Sequence, residues 1–415
     1  MKQLFCLLAV LAGIGLFALD FPDYDAGKGL PDDQPYPQGR IFPFAGFQGA
    51  SLKKLSEDGF TVAGPGYGAN VPRLHRQIKE LQLPAFFQIA AVQDGKTVTM
   101  KSFNDKTFKP DWKQIEASFA EQVRKADQEY PTIVYWYIMP EELRWWKKSE
   151  MKYLELFHKA VQKNDPKKRP VWMYIPNHYS PSALLKYLPY LDIIGKGMYV
   201  NYSGNRNTRN WVRWSSEGQA AAVKDAKGKF ALCVPELFQN PPEGEEGKIP
   251  SWVRHDVYLS LACGSKGVVI FSLSHRPSLK KEIHARYYAA YTAVAKELTG
   301  KDGLGQVYLF GKVCQDIKGE AIGAEKLTAK TGSKTYESPA VKMSEHLYRG
   351  ARYLTIVNSA EKPVTFQLSG IPAGLQMEDR LTGEKISSLK LELKPLEVKI
   401  IKVFPGAKKN DPAGR

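Results

Sequence analysis

Two stretches of this sequence are apolar runs that end in a proline followed by a carboxylate. Residues 135–142 have the sequence YWYIMPEE, and residues 230–236 have the sequence FALCVPE. Short apolar runs with such ends are typical of buried strands, so Glu141, Glu142 and Glu236 are expected at strand tips. If both strands belong to one parallel barrel, these carboxylates face each other across its mouth.

A pair of carboxyl groups in such a place is suited to hydrolysing an acetal. One acid protonates the leaving oxygen while one carboxylate attacks carbon or activates water, and a separation of roughly 5–5.5 Å implies retention of configuration. Each group is also expected to perturb the pKa of the other. A single strand-end glutamate is as often a salt-bridged structural residue, so the pairing of Glu141 with Glu236 is what favours catalysis. Glu142 is the fallback acid/base if the register is off by one.

The elements that would position these residues alternate regularly. Apolar strands alternate with amphipathic helical segments, as in a parallel sheet wound with helices. The predicted strands are residues 41–47, 60–63, 85–91, 133–139, 171–175, 192–200, 230–234 and 267–273. These eight strands and a closing helix at 281–298 predict a (β/α)8 TIM barrel over residues 41–300, because this fold spans roughly 250 residues. The glutamates then end the fourth and seventh strands.

The segments outside the barrel differ in composition. Residues 301–405 contain short alternating apolar runs, the first at 307–310, and predict a C-terminal all-β sandwich. Residues 1–19 have the charged start and apolar run of a secretory signal peptide, with a retained anchor as the alternative. Residues 20–40 predict an extended lead-in and residues 406–415 a disordered tail. We therefore expect a secreted, periplasmic or cell-surface protein with no membrane span once the signal is removed.

The chain is strongly basic, with 59 Lys and Arg residues, 43 Asp and Glu residues and a formal net charge of +16. A basic surface attracts anionic partners such as sulfated or uronic polysaccharides, although solvated helix faces explain dispersed charges equally well. The basic clusters at 165–170 and 407–410 lack the interleaved aromatic residues of a nucleic-acid groove. The Cys and His spacing shows no metal-binding pattern. The sequence therefore predicts neither nucleic-acid binding nor a metal, another cofactor or a disulfide framework.

Residues just beyond the predicted strand ends are candidates for substrate binding, because the loops of a TIM barrel converge on one mouth. The binding candidates chosen from the residues at or beyond the carboxyl ends of the strands are Gln48, Tyr67, Asn177, His178 and Tyr199; Gln88 and His275 are also assigned to the mouth. Trp146, beside Trp145, and Trp214, beside Trp211, are further binding candidates, since aromatic faces pack on sugar rings. Core packing is the commoner role of tryptophan.

The segment 201–217 is predicted to be a long loop after the sixth strand, and it carries Trp211 and Trp214. Arg206, Arg209 and Arg213 in the same segment are candidates for holding a carboxylate or sulfate group of a substrate. The alternative is that these arginines are ordinary solvated loop charges.

The barrel segment resembles the clan A retaining glycoside hydrolases, a superfamily that includes β-galactosidases, cellulases and β-mannanases. In that clan the acid/base glutamate ends the fourth strand and the nucleophile ends the seventh, which carries over to Glu141 and Glu236. Residues 191–199, LDIIGKGMY, are similar to the sixth-strand pattern in which a tyrosine approaches the nucleophile. The resemblance therefore implies that Tyr199 donates a hydrogen bond to Glu236. Residues 252–268 resemble the helix and eighth strand of β-galactosidase-like members.

Two positions depart from the clan's pattern. Clan members place Asn before the acid/base glutamate to bind the sugar 2-hydroxyl, whereas this sequence has Pro140, and residues 271–274, FSLS, lack the stacking Trp of the eighth strand. The leading hypothesis is a secreted retaining β-glycosidase acting on a polysaccharide or oligosaccharide, anionic ones included. The alternative is a carbohydrate-binding barrel that has lost catalysis. A third hypothesis is a surface protein that adheres to anionic polymers. Sugar, linkage and oligomeric state stay open.

Overall fold

The computed structural model describes residues 41–47, 51–67, 70–202, 209–301 and 303–406. The predicted signal peptide and lead-in, and the predicted tail beyond residue 406, lie outside these ranges. No helix in the described ranges is both long enough and apolar enough to cross a membrane.

The chain forms first a parallel sheet wound with helices and then antiparallel sheets. The strands are β1 (Phe44–Gly46), β2 (Ala85–Ala90), β3 (Val92–Gln93), β4 (Lys96–Thr97), β5 (Ile133–Met139), β6 (Val171–Ile175), β7 (Ile193–Lys196), β8 (Phe230–Cys233), β9 (Ser265–Ile270), β10 (Lys312–Cys314), β11 (Lys318–Ile322), β12 (Leu327–Thr331), β13 (Lys334–Ser338), β14 (Val341–Tyr348), β15 (Ala351–Asn358), β16 (Val364–Ser369), β17 (Leu375–Asp379), β18 (Lys390–Leu393) and β19 (Val398–Pro405). The α-helices are α1 (Leu52–Glu57), α2 (Val71–Leu81), α3 (Met100–Asn104), α4 (Trp112–Glu129), α5 (Lys148–Asn164), α6 (Pro181–Leu184), α7 (Asn210–Val223), α8 (Ile249–Ala262), α9 (Lys281–Thr299) and α10 (Gly305–Phe310).

Seven parallel strands form one curled sheet in the order β1-β9-β8-β7-β6-β5-β2. The predicted strand at 60–63 is reduced to a single bridge, in which Ala63 pairs with Ala85 of β2. Thr61 on its other side donates its N–H to the Phe44 carbonyl of β1 at 3.0 Å. The segment therefore closes the ring between the first and last strands of the sheet, and the predicted TIM-barrel fold is confirmed.

The barrel strands are apolar because both of their faces are covered. In β5 every residue from Ile133 to Ile138 is buried, as expected for a parallel strand between a barrel interior and a layer of helices. Helix α4 packs outside with Ile115, Phe119 and Val123 buried, a spacing of four residues that defines one helical face. Its N-terminus is capped by Asp111, whose carboxylate accepts the N–H groups of Lys113 and Gln114.

The C-terminal part is a β-sandwich. A five-stranded sheet in the order β10-β14-β15-β19-β17 packs on a three-stranded sheet in the order β11-β16-β18, around a core that includes Leu354, Phe366 and Ile401. The predicted strand at 307–310 is instead helix α10. A short apolar run of this length does not distinguish a buried strand from a buried helix, so this prediction was wrong.

Polar contacts fix the sandwich to the outer helices of the barrel. Arg213 of α7 donates to the Pro339 carbonyl at 2.6 Å, and Asn210 at the start of α7 donates to the Leu327 carbonyl at 2.9 Å. On α8, the buried ring of His255 hydrogen bonds to the Ser359 hydroxyl at 2.9 Å. The second domain therefore packs on the helices that follow the sixth and seventh barrel strands.

Candidate active site

Glu141 lies just beyond the fourth barrel strand, β5, and two tyrosine hydroxyls hold its carboxylate. Tyr67 donates to Oε1 at 3.0 Å, and Tyr137 donates to Oε2. Burial raises the pKa of Glu141 to about 7 against the lowering effect of both hydrogen bonds, and the nearby Glu142 charge adds to the rise. A carboxyl group with a pKa near 7 can both give and take a proton at neutral pH.

Glu236 follows the seventh barrel strand, β8, and only 5% of it is exposed. Its Oε1 accepts the backbone N–H groups of Val200 at 3.1 Å and Asn201 at 2.8 Å. Its Oε2 is buried and has no hydrogen-bond partner among the described residues. Tyr291 also fixes the backbone, because its hydroxyl donates to the Glu236 carbonyl at 2.9 Å. The two oxygens of this carboxylate are therefore held differently, because the backbone anchors Oε1 whereas Oε2 is enclosed without a hydrogen-bond donor among the described residues.

Burial is the main cause of the raised pKa at both glutamates. It raises the pKa of Glu236 to about 7, while the Asn201 N–H and the Arg209 charge lower it and the Asp256 charge raises it. The carboxylates that add to the two pKa rises are thus Glu142 for Glu141 and Asp256 for Glu236. The expected mutual perturbation of Glu141 and Glu236 is not what raises their pKa values.

A cluster of aromatic rings, here called the aromatic floor, links the two glutamates. It consists of Phe47, Tyr67, Tyr137, Tyr174, Tyr199 and Phe271. Phe271 lies at its centre, with ring centroids 5.0 Å from Phe47, 5.5 Å from Tyr174 and 5.5 Å from Tyr199. The backbone of Phe271 forms a parallel bridge with Glu236, while Tyr67 and Tyr137 hold Glu141. Phe47, Tyr137, Tyr174 and Tyr199 are buried, so the floor packs the two strand ends against each other, and only Tyr67 and Phe271 are partly exposed to a ligand.

Tyr199 belongs to this floor, but its contact with Glu236 differs from the expected one. The Tyr199 hydroxyl is buried and has no hydrogen-bond partner among the described residues, so it does not donate to Glu236. The two N–H groups that follow it in sequence bind Glu236 instead. Asn177 holds this segment, because its Oδ1 accepts the Tyr199 N–H at 3.0 Å and the Trp211 indole N–H at 3.0 Å. Asn177 therefore positions the site instead of contacting a sugar as expected.

The residues after Glu141 form an exposed aromatic group beside the mouth. Trp145 is 39% exposed and Trp146 is 51% exposed, and their rings meet edge to face at 5.5 Å. Trp146 also lies 6.0 Å from Tyr179, which contacts the exposed ring of His178 at 4.8 Å. These placements suit the predicted binding roles of Trp146 and His178.

Glu142 lies next to Glu141 but in a different setting. It is exposed and adopts a left-handed backbone conformation with a φ of 61°, and its N–H donates to the Tyr174 carbonyl at 3.3 Å. Partial burial of the carboxyl group raises its pKa. Among the described residues no tyrosine hydroxyl donates to Glu142, whereas two donate to Glu141, so Glu141 is the better-held candidate acid/base.

The segment after the sixth strand is not the long loop that was predicted, because α7 begins at Asn210. Trp214 is 9% exposed and packs 4.5 Å from Trp211, with the Lys196 ammonium 4.0 Å from its ring centroid. It is a core residue and not part of the cleft. A helical spacing could have indicated that Trp214 is buried, because Trp211, Trp214 and Gly218 lie three and seven residues apart. Gly218 packs closely on Pro181.

Two of the three arginines that were candidates for binding a substrate anion form ion pairs inside the protein instead. Arg209 is buried, pairs with Asp256 at 2.6 Å and stacks over Trp252 at 4.4 Å. Arg213 is buried and pairs with Glu217 at 3.0 Å. Arg206 and Gln48 lie outside the described residues. Gln88, expected at a strand end, instead lies within β2, where its side-chain oxygen accepts the Gly66 N–H at 3.1 Å.

Sequence reasoning missed several residues of this site. Tyr137 and Tyr174 lie within strands, where only side-chain alternation could have shown that they face the barrel interior. Phe271 supplies an aromatic ring at the end of the eighth strand, where no Trp is present. Arg276, five residues later, places its guanidinium 4.8 Å from the Phe238 ring centroid and 5.2 Å from that of Phe271. The mouth therefore contains a cation that the sequence analysis did not select.

One group of metal-ligating atoms occurs in the described residues, in Cys314, Asp316 and Glu345 of the sandwich. Both carboxylates already bind the Arg352 guanidinium, Asp316 at 2.7 Å and Glu345 more closely. Glu345 Oε2 also accepts the N–H groups of Asp316 and Ile317. The arginine thus supplies the positive charge to this cluster.

Comparison with solved structures agrees with the fold. An α-amylase from Geobacillus thermoleovorans, solved in complex with acarbose, aligns with a TM-score of 0.51 and 9% identity over 85% of this chain and 90% of its own. A catalytic mutant of a GH42 β-galactosidase from G. stearothermophilus aligns with a TM-score of 0.53 and 8% identity over 89% and 99%. No protein-family model and no curated protein sequence matches the chain. The chain thus has the fold of TIM-barrel glycoside hydrolases with a C-terminal β domain, as the resemblance to clan A implied.

Proposed function

We propose that the protein is a retaining glycoside hydrolase in which Glu236 is the nucleophile and Glu141 the general acid/base. One observation carries this proposal. Two glutamates whose pKa values burial raises to about 7 lie at the ends of the fourth and seventh barrel strands, joined by an aromatic floor. Fold likeness to an α-amylase and a β-galactosidase supports a glycosidase in general. Because those two enzymes are named for bonds of opposite anomeric type, the preference for β-glycosides rests on the clan A pattern alone.

In the first step Glu236 attacks the anomeric carbon through Oε2. The backbone N–H groups of Val200 and Asn201 hold Oε1, so the unpartnered Oε2 forms the new C–O bond. Glu141 gives its proton to the glycosidic oxygen as the bond to that oxygen breaks. The products are a glycosyl ester on Glu236, a released alcohol and an ionised Glu141.

In the second step water cleaves the ester. The Glu141 carboxylate, held by Tyr67 and Tyr137, removes a proton from the water as its oxygen attacks the anomeric carbon. The Glu236 carboxylate leaves and recovers its hydrogen bonds, and Glu141 ends protonated. Two inversions give net retention.

The first experiment is a panel of activated aryl α- and β-glycosides and polysaccharides assayed with the wild type and matched variants. We expect Glu236→Ala to remove activity by orders of magnitude and Glu141→Gln to lower kcat/KM by about 10²–10⁴-fold, least where the leaving group needs no proton. Glu121→Gln on α4, an exposed glutamate far from the mouth, is the control and stays active. Near-normal turnover by Glu236→Ala would end the assignment.

A carbohydrate-binding barrel without catalysis is the second candidate function, and Pro140 is the observation that favours it. Pro140 is buried and has no side-chain donor for a sugar 2-hydroxyl, where clan members have Asn. In this case wild type and Glu236→Ala bind the same oligosaccharides with equal affinity in calorimetric titrations, and neither turns them over. Turnover by the wild type alone decides for the enzyme.

We further propose that the substrate is anionic, and Arg276 supports this proposal. Its guanidinium lies against Phe271 and Phe238 at the mouth, and no salt bridge joins it to a carboxylate of the described residues. Residues 271–281 contain no acidic residue, whereas Lys280 and Lys281 are close in sequence to Arg276. A stacked arginine is well suited to carboxylate or sulfate recognition.

Replacing Arg276 tests this preference separately from catalysis. We expect Arg276→Met to raise KM for uronic or sulfated substrates roughly tenfold or more and to leave KM for matched neutral substrates unchanged. Arg73→Met, on helix α2, is the control for loss of one positive charge. Equal effects on charged and neutral substrates would show that Arg276 only supports the fold of the mouth.

We also propose export of the mature chain from about residue 20, motivated by the charged and apolar start at residues 1–19. N-terminal sequencing of the protein from a fractionated culture checks this. An intact N-terminus in the cytoplasmic fraction would contradict export, whereas an intact N-terminus in the membrane fraction would indicate a retained anchor.

A further inference from the structure

A narrow crevice between the barrel and the sandwich is rich in positive charge. It encloses about 210 Å³ where α10 faces the sandwich, and its lining residues include no carboxylate. The cations that line it are Lys301, Arg349, Arg380 and Lys402. They come from four separate stretches of the chain, so the fold and not a local run of basic residues brings them together.

The strand register explains why these side chains share one face. Tyr353 of β15 is paired with Lys402 of β19, and Lys402 is paired with Glu378 of β17. Side chains directly opposite in adjacent strands lie on the same side of a sheet. Arg380 follows Glu378 by two residues and binds it at 2.9 Å. Glu378 therefore offsets one of the four positive charges and leaves the crevice cationic.

Tyr348 and Tyr353 form one wall of the crevice, with ring centroids 6.4 Å apart. Arg349 and Arg380 line the same crevice as Tyr353. Burial raises the pKa of Tyr353, the charges of Arg380 and Arg349 oppose the rise, and the Glu378 charge adds to it. The Arg380 Nε atom is buried and has no hydrogen-bond partner among the described residues. The crevice thus contains an unused donor next to converging cations.

An oxyanion would relieve both unfavourable features. Like charges held close together repel, and a buried donor without an acceptor costs free energy. A guanidinium group binds sulfate, phosphate or carboxylate oxygens with two parallel hydrogen bonds. At about 210 Å³ the crevice has room for a single sulfate or phosphate group with its attachment.

The crevice lies at the end of the barrel opposite the glutamates. Gly305, one residue past the lining residue Leu304, packs so closely on Phe42 that an added Cβ would lie 2.5 Å from its Cγ. Phe42 precedes β1 and so marks the amino-terminal end of the strands, whereas Glu141 and Glu236 follow the carboxyl ends. A ligand here does not contact the proposed catalytic residues.

We propose that this crevice is a binding site for a tetrahedral oxyanion, the sulfate or phosphate group of a polymer to which the protein docks. A larger cavity of about 690 Å³ between α4 and α5 is also basic at its rim, but it includes Glu116, and its Lys159 is already paired with Glu155. That surface provides the matched control, because two of its cations, Lys113 and Lys163, can be removed with the same change in net charge.

The test is calorimetric titration of the full-length protein with sodium sulfate, inorganic phosphate and glucuronate at constant ionic strength. Arg349→Gln/Arg380→Gln is compared with Lys113→Gln/Lys163→Gln. We expect the wild type to bind sulfate or phosphate, the crevice variant to bind roughly tenfold more weakly or not at all, and the control variant to match the wild type. If Arg380→Gln does not fold, Arg349→Gln/Lys402→Gln replaces it.

The three anions distinguish the sources of the bound group. Binding of sulfate with retention on dextran sulfate, but not on dextran, indicates a sulfated polysaccharide. Binding of phosphate with retention on polyphosphate indicates a phosphate-bearing polymer. Binding of glucuronate alone, no binding by the wild type, or equal loss in the control variant would overturn the proposal. The test needs no turnover, so it stands or falls separately from the glycosidase assignment.

Discussion

Glu141 and Glu236 have similar pKa values but are held in different ways. Hydroxyl groups bind both oxygens of Glu141, and these donors can rotate as the proton leaves and returns. Backbone N–H groups bind one oxygen of Glu236, and such donors are fixed by the chain. Donors that can rotate suit a carboxyl group that exchanges protons. Donors that are fixed suit a carboxylate that must be oriented toward the anomeric carbon.

The pH profile of kcat/KM tests this division of roles. Glu236 must be ionised, so activity falls as pH drops below about 7, the pKa of that group. Glu141 must be protonated, so activity falls as pH rises above about 7. We expect a narrow bell centred near neutral pH, with apparent pKa values that belong to the pair. A profile that stays flat from neutral to alkaline pH would contradict an acid role for Glu141.

Glu142 provides a related test on the next residue. Its charge adds to the raised pKa of Glu141, so Glu142→Gln is expected to keep most activity and to move the alkaline limb of the profile to lower pH. The measurement is the same pH series. Loss of the alkaline limb together with a large fall in kcat would instead identify Glu142 as the acid/base.

At the scale of elements, the site depends on the segment that joins β7 to α7. Val200 and Asn201 at one end of it bind Glu236, and Asn210 at the other end is completely buried. The Asn210 side chain donates to the Leu327 carbonyl and accepts from the Ser338 hydroxyl at 2.6 Å. The β12–β13 hairpin of the sandwich therefore holds the start of the helix that follows the site.

A double-mutant cycle on Asn210 and Ser338 tests this contact. Asn210→Ala removes the hydrogen bonds to a buried hydroxyl and to a carbonyl and is expected to cost about 1–3 kcal/mol in the free energy of unfolding. Ser338→Ala after Asn210→Ala is expected to cost less than it does alone, with a coupling energy of about 0.5 kcal/mol or more. The measurement is urea unfolding of the four proteins. Strictly additive losses would show that the hairpin does not hold α7 through this pair.

The sequence predicted helices and strands better than it predicted which side chains are exposed to solvent. The order of the strands along the chain could be predicted because buried parallel strands are continuous apolar runs, so the glutamates could be placed at strand tips. The accessibility of Trp214 and Arg209 could not be read in the same way, because it depends on where α7 starts and on partners such as Lys196 and Asp256. Arg276 was missed since stacking on Phe271 is a contact between residues that no local pattern relates.

At the scale of the whole molecule, the positive charge is partly structural. Arg169, within the basic cluster at 165–170, is 1% exposed and pairs with Asp165 at 2.7 Å and also with Asp127. Arg352 is likewise buried between carboxylates of the sandwich. Each of these arginines is matched by two carboxylates, so neither adds to a basic surface, and the crevice between the two domains is where cations converge.

Global stability should record the cost of burying Glu236. Its pKa is raised from 4.5 to about 7, so the folded state binds the proton more tightly than the unfolded state does, and stability falls as pH rises from about 4.5 through about 7. The loss amounts to about 3 kcal/mol above that range. The quantity to compare is the free energy of unfolding of Glu236→Gln minus that of the wild type. We expect this difference to be larger at pH 8 than at pH 4.5, by up to about 3 kcal/mol.

Urea unfolding at the two pH values measures this difference, with Glu121→Gln as the control for an exposed glutamate. The control is expected to show the same difference from the wild type at both pH values. A difference between Glu236→Gln and the wild type that does not change with pH would show that Glu236 is not held in a desolvated site.

The most direct test of Glu236 as the nucleophile is mass spectrometry of the protein quenched in acid during turnover of a substrate from the panel. We expect a population heavier by one glycosyl unit, with the added mass on the peptide that contains Glu236, no such population in Glu236→Gln, and accumulation in Glu141→Gln when the leaving group is activated. Turnover without any covalent adduct in that variant, or an adduct on a different carboxylate, would contradict the assignment of Glu236 as the nucleophile.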